Sequence, residues 1–298
     1  MAPRKTLTWL AAVACLATAC SATSAATKTT PTPSAPPSAS TAPGGSKATE
    51  ATEAQNKALV LRLYTDGFDK NRTDVLKQLL APDYVQHDKS ARGGPDGQAE
   101  EFQQLKAKFP GAVATVKHIA ADGDLVAVHW QASATPRNEA TGEARADLYR
   151  VADGRLVEHW GIGQTVPATT ASGNSLFSDV YQPPKAAPAL TERQEESNRV
   201  FAVEAYRRLS DGDAKVLDER WDPRYYQHNP AVGNGTAALK QVFGQGTQPT
   251  GGATTEFAQT LADGDLVWIF SLDHTVADIF RVADGKIIEH WDVAADGK

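Results

Sequence analysis

From about residue 51 the chain alternates between two spacings of apolar residues. Leu59, Leu63 and Tyr64 recur at helical intervals, and Val200, Val203, Ala205 and Tyr206 do so less regularly. Short helices are expected over 74–80 and 214–220, and another over 98–108 behind the turn at Gly93-Gly94. After these the pattern becomes that of strands. Residues 125–130 are rich in β-formers, and 146–151 run into 155–160 through Asp153-Gly154, a dipeptide that favours a two-residue hairpin. Helices first and antiparallel strands after define an α+β domain, with helices packed on one face of a curved sheet.

The series occurs twice. Tyr84-Val85-Gln86-His87 returns as Tyr225-Tyr226-Gln227-His228, and Ala121-Asp122-Gly123-Asp124-Leu125-Val126 returns unchanged from Ala262. The stretch DLYRVADGRLVEHW from Asp147 recurs as DIFRVADGKIIEHW from Asp278, in the same order along the chain. A duplication explains this, and it sets two domains, 51–166 and 191–298, joined by a linker over 167–190.

Ahead of the repeats, Arg4 and Lys5 precede an apolar run that closes on Ala17-Thr18-Ala19-Cys20. Residues 1–19 therefore read as a signal peptide, too short for a membrane span. Residues 20–50, almost wholly Ser, Thr, Ala, Pro and Gly, read as a disordered tether. The only cysteines are Cys15 and Cys20, so no disulfide framework holds the domains. Cys20 resembles the lipidated cysteine of bacterial lipoproteins, although Ala17 stands where leucine is usual. The expectation is an exported protein anchored to the outer face of the membrane, or secreted after simple cleavage. The net charge of −6, with no cluster of Lys and Arg, makes nucleic acid an unsuitable partner.

If the hairpin pairs strictly outward from Asp153-Gly154, Asp147 lies opposite Trp160 and Tyr149 opposite Glu158, on one face. The second copy gathers Asp278, Phe280, Glu289 and Trp291 in the same way. A carboxylate against aromatic rings loses hydration, and desolvation raises its pKa towards that of a general base. Equally, Asp147 could pair with a neighbouring Arg or cap a loop. The same register turns His159 and His290 away from the aspartates, as interface or core residues. No spacing resembles a zinc site, a nucleophile elbow or a phosphate loop, so neither metal nor cofactor is expected.

The run Tyr-x-Gln-His, Val-x-Val-His and Asp-Leu-Tyr-Arg-Val-Ala-Asp-Gly-x-x-x-Glu-His-Trp resembles the SnoaL-like polyketide cyclases of the nuclear transport factor 2-like superfamily. The resemblance covers nearly all of both repeats. It implies cone-shaped domains with a deep apolar pocket, pairing sheet to sheet, here as a pseudo-dimer within one chain. It implies a pocket aspartate, matched by Asp147 and Asp278, serving as acid/base in aldol closure without a cofactor. It also implies histidine donors at His87 and His228, and at His129, whose counterpart is Phe270. Gly161 stands where the second copy has Asp292. Two functions follow. One is an aldol-type cyclase or isomerase acting on a carbonyl compound, with Tyr149, Glu158, Trp160, Phe280, Glu289 and Trp291 lining the sites. The other is a non-catalytic, surface-tethered module that binds an apolar ligand or partner.

Overall fold

The computed structural model describes residues 45–88, 91–184, 188–244 and 255–296. The signal segment, Cys20 and the tether as far as residue 44 fall outside these. In the first repeat, α1 (Gly45–Arg62) begins inside the stretch expected to be tether and continues as a π-helical segment, Leu63–Asp69. Then come α2 (Thr73–Leu79), β1 (Leu80–Gln86), α3 (Gly94–Lys108), β2 (Val113–Asp122), β3 (Leu125–Ser133), β4 (Glu143–Ala152) and β5 (Arg155–Thr165). The second repeat follows with α4 (Glu192–Ser210), α5 (Val216–Arg220), β6 (Trp221–Gln227), α6 (Thr236–Gly244), β7 (Phe257–Asp263), β8 (Leu266–Ser271), β9 (Val276–Ala283) and β10 (Lys286–Ala294). Helix α4 starts from a capping box in which Thr191 and Gln194 satisfy each other's free backbone N–H groups.

Each repeat builds a five-stranded sheet, in the orders β1-β5-β4-β3-β2 and β6-β10-β9-β8-β7. Four strands are antiparallel, as expected. The edge strands β1 and β6 run parallel to β5 and β10, so each sheet is mixed. The Asp153-Gly154 hairpin forms with both residues at positive φ, the geometry that matches the twist of the flanking strands.

The strict register beyond the turn is corrected by a β-bulge. Ala152 pairs with Arg155 and Val151 with Leu156, but Arg150 then pairs with Glu158, so Val157 is the extra residue. Asp147 consequently faces Gly161, Tyr149 faces His159 and Leu148 faces Trp160. The second hairpin repeats the shift, setting Asp278 against Asp292 and Phe280 against His290. One inserted residue moves every later side chain of β5 and β10 to the other face.

Both faces of each sheet are covered. Val126, Val128, Trp130, Tyr149 and Leu156 meet Leu63, Tyr64, Phe68 and Phe102 of the helices. The opposite face, with Ala127, Ala146, Leu148, Trp160 and Ile162, packs on Trp268, Phe270, Ile279, Trp291 and Val293 of the second sheet. The two repeats thus pair sheet to sheet within the chain. The contact is reciprocal: Asp263 accepts the backbone N–H of Ala121, and Asp122 that of Ala262. The linker is a packed strap. Leu176 and Phe177 are buried between the sheets, and the backbone N–H of Val180 donates to Glu289 at 2.6 Å.

Candidate functional site

Asp147 lies in the middle of β4 on the helix side, buried beneath the π-helical segment. Its Oδ2 accepts hydrogen bonds from Tyr64 Oη and Trp130 Nε1, each at 2.6 Å. Its Oδ1 faces Arg145 Nη2 at 3.7 Å and His159 Nε2 at 3.3 Å, and completes a hydrogen bond with neither. Arg145 is itself held at 2.9 Å by Glu143 and by Glu101. Burial pushes the Asp147 carboxyl up, but Arg145, His159 and Tyr64 outweigh it and hold the group below the usual carboxylate range. The phenols of Tyr64 and Tyr149, 3.0 Å apart, are raised well above theirs, so both remain proton donors.

The tautomer of His159 follows from its neighbours. Gln86 uses Oε1 for the backbone N–H of Asp88 and Nε2 for the Glu101 carboxylate. The same Nε2 donates to His159 Nδ1 at 2.8 Å, which leaves the imidazole N–H on Nε2, towards Asp147.

Around Asp278 the chemistry differs. His290 Nε2 lies 3.0 Å from Asp278 Oδ1, and Tyr206 also hydrogen-bonds Asp278. Val276 stands at the position of Arg145, and Asp292 at that of Gly161. The exchange is steric as well as electrostatic: a Cβ on Gly161 would stand 3.2 Å from both Arg145 Nη2 and Asp147 Oδ1. Asn229 Nδ2 donates to Asp292 Oδ2 at 2.5 Å, while Asp292 Oδ1 has no hydrogen-bond partner. Burial, with the charge of Asp278, raises the Asp292 carboxyl.

The structure separates the other residues singled out by the sequence. Tyr149 and Phe280 join the aspartates, stacked on His159 and His290 at 4.6 Å. Glu158, Trp160, Glu289 and Trp291 lie on the sheet-pairing side because of the bulge, and His87 and His228 go with them. His87 bonds Glu158 at 2.8 Å and stacks on Trp160, and His228 bonds Glu289 at 3.0 Å and stacks on Trp291. His129 is also on that side, 3.0 Å from His118 and stacked on Phe177. Burial depresses its pKa well below the usual imidazole value.

Conversely, His159 and His290, expected away from the aspartates, sit beside them. Trp130, Arg145 and Asn229 escaped the sequence reading, and Tyr64 and Tyr206 entered it only as apolar helix positions, since spacing does not mark a hydrogen-bond partner. Asp292 was legible only as a difference between the copies.

The deep pocket implied by the family resemblance would lie between the helices and the sheet. Tyr64, Phe68, Tyr84, Phe102, Trp130 and Tyr149 fill the space between helices and sheet. Two open clefts lie elsewhere. One of about 420 Å³ is lined by Thr52, Asn56, Gly123, Asp124 and residues 151–154. The other, of about 220 Å³, runs along α4 and β7 past Arg199, Arg207 and Phe257. No described helix is long and apolar enough to cross a membrane.

The sequence pattern of the SnoaL-like domain matches residues 60–159 and again 202–290, so the chain belongs to the SnoaL-like domain family, as two tandem copies. Among solved structures, IdmH from Streptomyces antibioticus, described as a candidate polyketide cyclase, is 30% identical, covering 38% of this chain and 95% of its own, with a TM-score of 0.32. A candidate SnoaL-like polyketide cyclase from Jannaschia sp. is 22% identical over 38% of this chain and 87% of its own, with a TM-score of 0.32. A candidate isomerase of the family from Agrobacterium tumefaciens is 17% identical over 38% and 98%, with a TM-score of 0.31. None of the curated proteins compared matches the chain.

Proposed function

We propose that this is an exported, surface-held binding module that holds a small ligand or partner without turning it over. One observation carries the reading: Arg145, His159 and Tyr64 surround the buried Asp147 carboxylate, outweigh its burial and hold it below its ordinary range. A base that takes a proton from carbon works best with a pKa near the operating pH, and this environment pushes the other way. The aromatic filling of the cone adds to the argument, since neither described cleft reaches Asp147.

The anchor in this proposal is a lipid on Cys20. A Cys20→Ala variant is then expected in the medium instead of the membrane fraction, and retention on the membrane contradicts the anchor.

Acid/base catalysis has one contact in its favour. Asp147 Oδ1 and His159 Nε2 face each other in a buried dyad without a completed hydrogen bond, so each keeps capacity for a substrate. Turnover assays on β-dicarbonyl compounds decide between the two. The module reading expects wild type and Asp147→Asn alike to show nothing above buffer. Wild-type turnover that falls about 100-fold or more in Asp147→Asn, the scale of a lost general base, contradicts it.

A further inference from the structure

We infer that the second repeat holds a divalent first-row metal ion on Asp278, His290 and Asp292. The inference is independent of the binding-module reading, because it concerns the other repeat and needs no turnover.

Three observations converge. The first is proximity: Asp278, His290 and Asp292 are all buried, and each offers a ligand atom within 4.8 Å of the others. Ligand atoms about 2.0–2.2 Å from one tetrahedral ion stand roughly 3.3–3.6 Å apart, so a closing-in of at most about 1.5 Å completes the set.

The second is the orientation of His290. Gln227 Oε1 accepts the backbone N–H groups of His228 and Asn229, both at 2.9 Å, which fixes that end of the amide as oxygen. The same oxygen lies 2.9 Å from His290 Nδ1, so Nδ1 carries the proton. The lone pair of neutral His290 is therefore on Nε2, pointing at Asp278 Oδ1 from 3.0 Å. Two acceptors so placed need a positive charge between them, either a second ring proton or a metal ion. A ligating histidine that donates its other N–H to an oxygen is the usual outer arrangement of a metal site. In the first repeat Gln86 presents its amino group to His159, and the tautomer is reversed.

The third is charge. The first repeat sets Arg145 beside its single aspartate. The second loses that cation to Val276 and gains a second carboxylate in Asp292, whose Oδ1 is buried and has no hydrogen-bond partner. Asp278 and Asp292 are thus two buried carboxylates with no Lys or Arg paired to either among the described residues. Imidazole among the ligands favours a first-row transition ion over magnesium or calcium.

The test uses the full chain without a histidine tag, stripped with chelator, equilibrated with Zn²⁺ or Mn²⁺ and freed of excess ion. Wild type should retain about one ion per chain. Asp292→Gly, which installs the residue of the first repeat, and His290→Gln should each fall to background. Wild type at background, as a shared proton in place of the ion would give, overturns the proposal; so does a variant that keeps the wild-type content. Should both variants fail to fold, ¹⁵N spectra of the wild type decide. Zn²⁺ is expected to shift His290 Nε2 while Nδ1 keeps its proton, and an unmoved Nε2 resonance sinks the site.

Discussion

A carboxylate as buried as Asp147 costs several kcal/mol to desolvate unless charge and hydrogen bonds replace its water. Tyr64 and Trp130 supply the hydrogen bonds, and Arg145 supplies the charge while also pairing Glu101 and Glu143. Removing the guanidinium leaves Asp147 and Glu101 with no Arg or Lys partner, while Glu143 keeps Lys108. Arg145→Leu is expected to lower unfolding stability by about 3–5 kcal/mol, the cost of breaking a buried pair from one side, as read by urea denaturation at neutral pH. A loss under about 1 kcal/mol contradicts the role given to Arg145. The sign with pH follows from the Asp147 shift. Its folded pKa lies below the ordinary 3.8, so its contribution is present above that value and is lost as pH falls through the folded one.

At the scale of elements, the β4–β5 hairpin shows what the pattern of residues reveals and what it hides. The turn was legible because Asp-Gly suits positive φ at two successive positions. The bulge at Val157 was not, since strict alternation also gives an apolar face near the turn. A cue was present in the charges: the bulged register sets Arg150 opposite Glu158, joined at 2.8 Å. The strict register leaves Glu158 facing Tyr149 instead. Strand β3 hid its faces for a different reason. It is buried on both, so its outward positions are Ala127 and His129 instead of charged residues, and periodicity cannot separate helix side from partner side. The family resemblance made His129 a pocket donor, and periodicity could not oppose it, although it packs between the sheets.

Across the whole molecule, the duplication made the two-sheet architecture legible, because the matching segments are those that build β4, β5 and their counterparts. The strap was not, because a Ser-, Thr- and Gly-rich stretch reads as loop whether or not it packs. Only Leu176 and Phe177 mark it as buried. The strap also covers one copy and leaves the other open. In the second repeat His228, Glu289 and Arg281 are covered by it, and Asp179 joins them, 3.1 Å from Arg281 and 2.9 Å from His118. Those partners outweigh burial and hold the Asp179 carboxyl down at about 2. In the first repeat the equivalent His87, Glu158 and Arg150 remain partly exposed. The copies thus differ on both faces of the sheet: the strap covers the sheet-pairing side of one, and the helix side sets a charge-paired Asp147 in the first repeat against Asp278 and Asp292 in the second.

The claim on which the function rests is that Asp147 is held ionised and is not poised as a base. Carboxyl ¹³C titration of the full chain, with Asp147 assigned by comparison with Asp147→Asn, measures it directly. The account predicts a midpoint below 3.8, the ordinary value for aspartate. A midpoint raised towards neutral pH would contradict it and return Asp147 to the role of a general base.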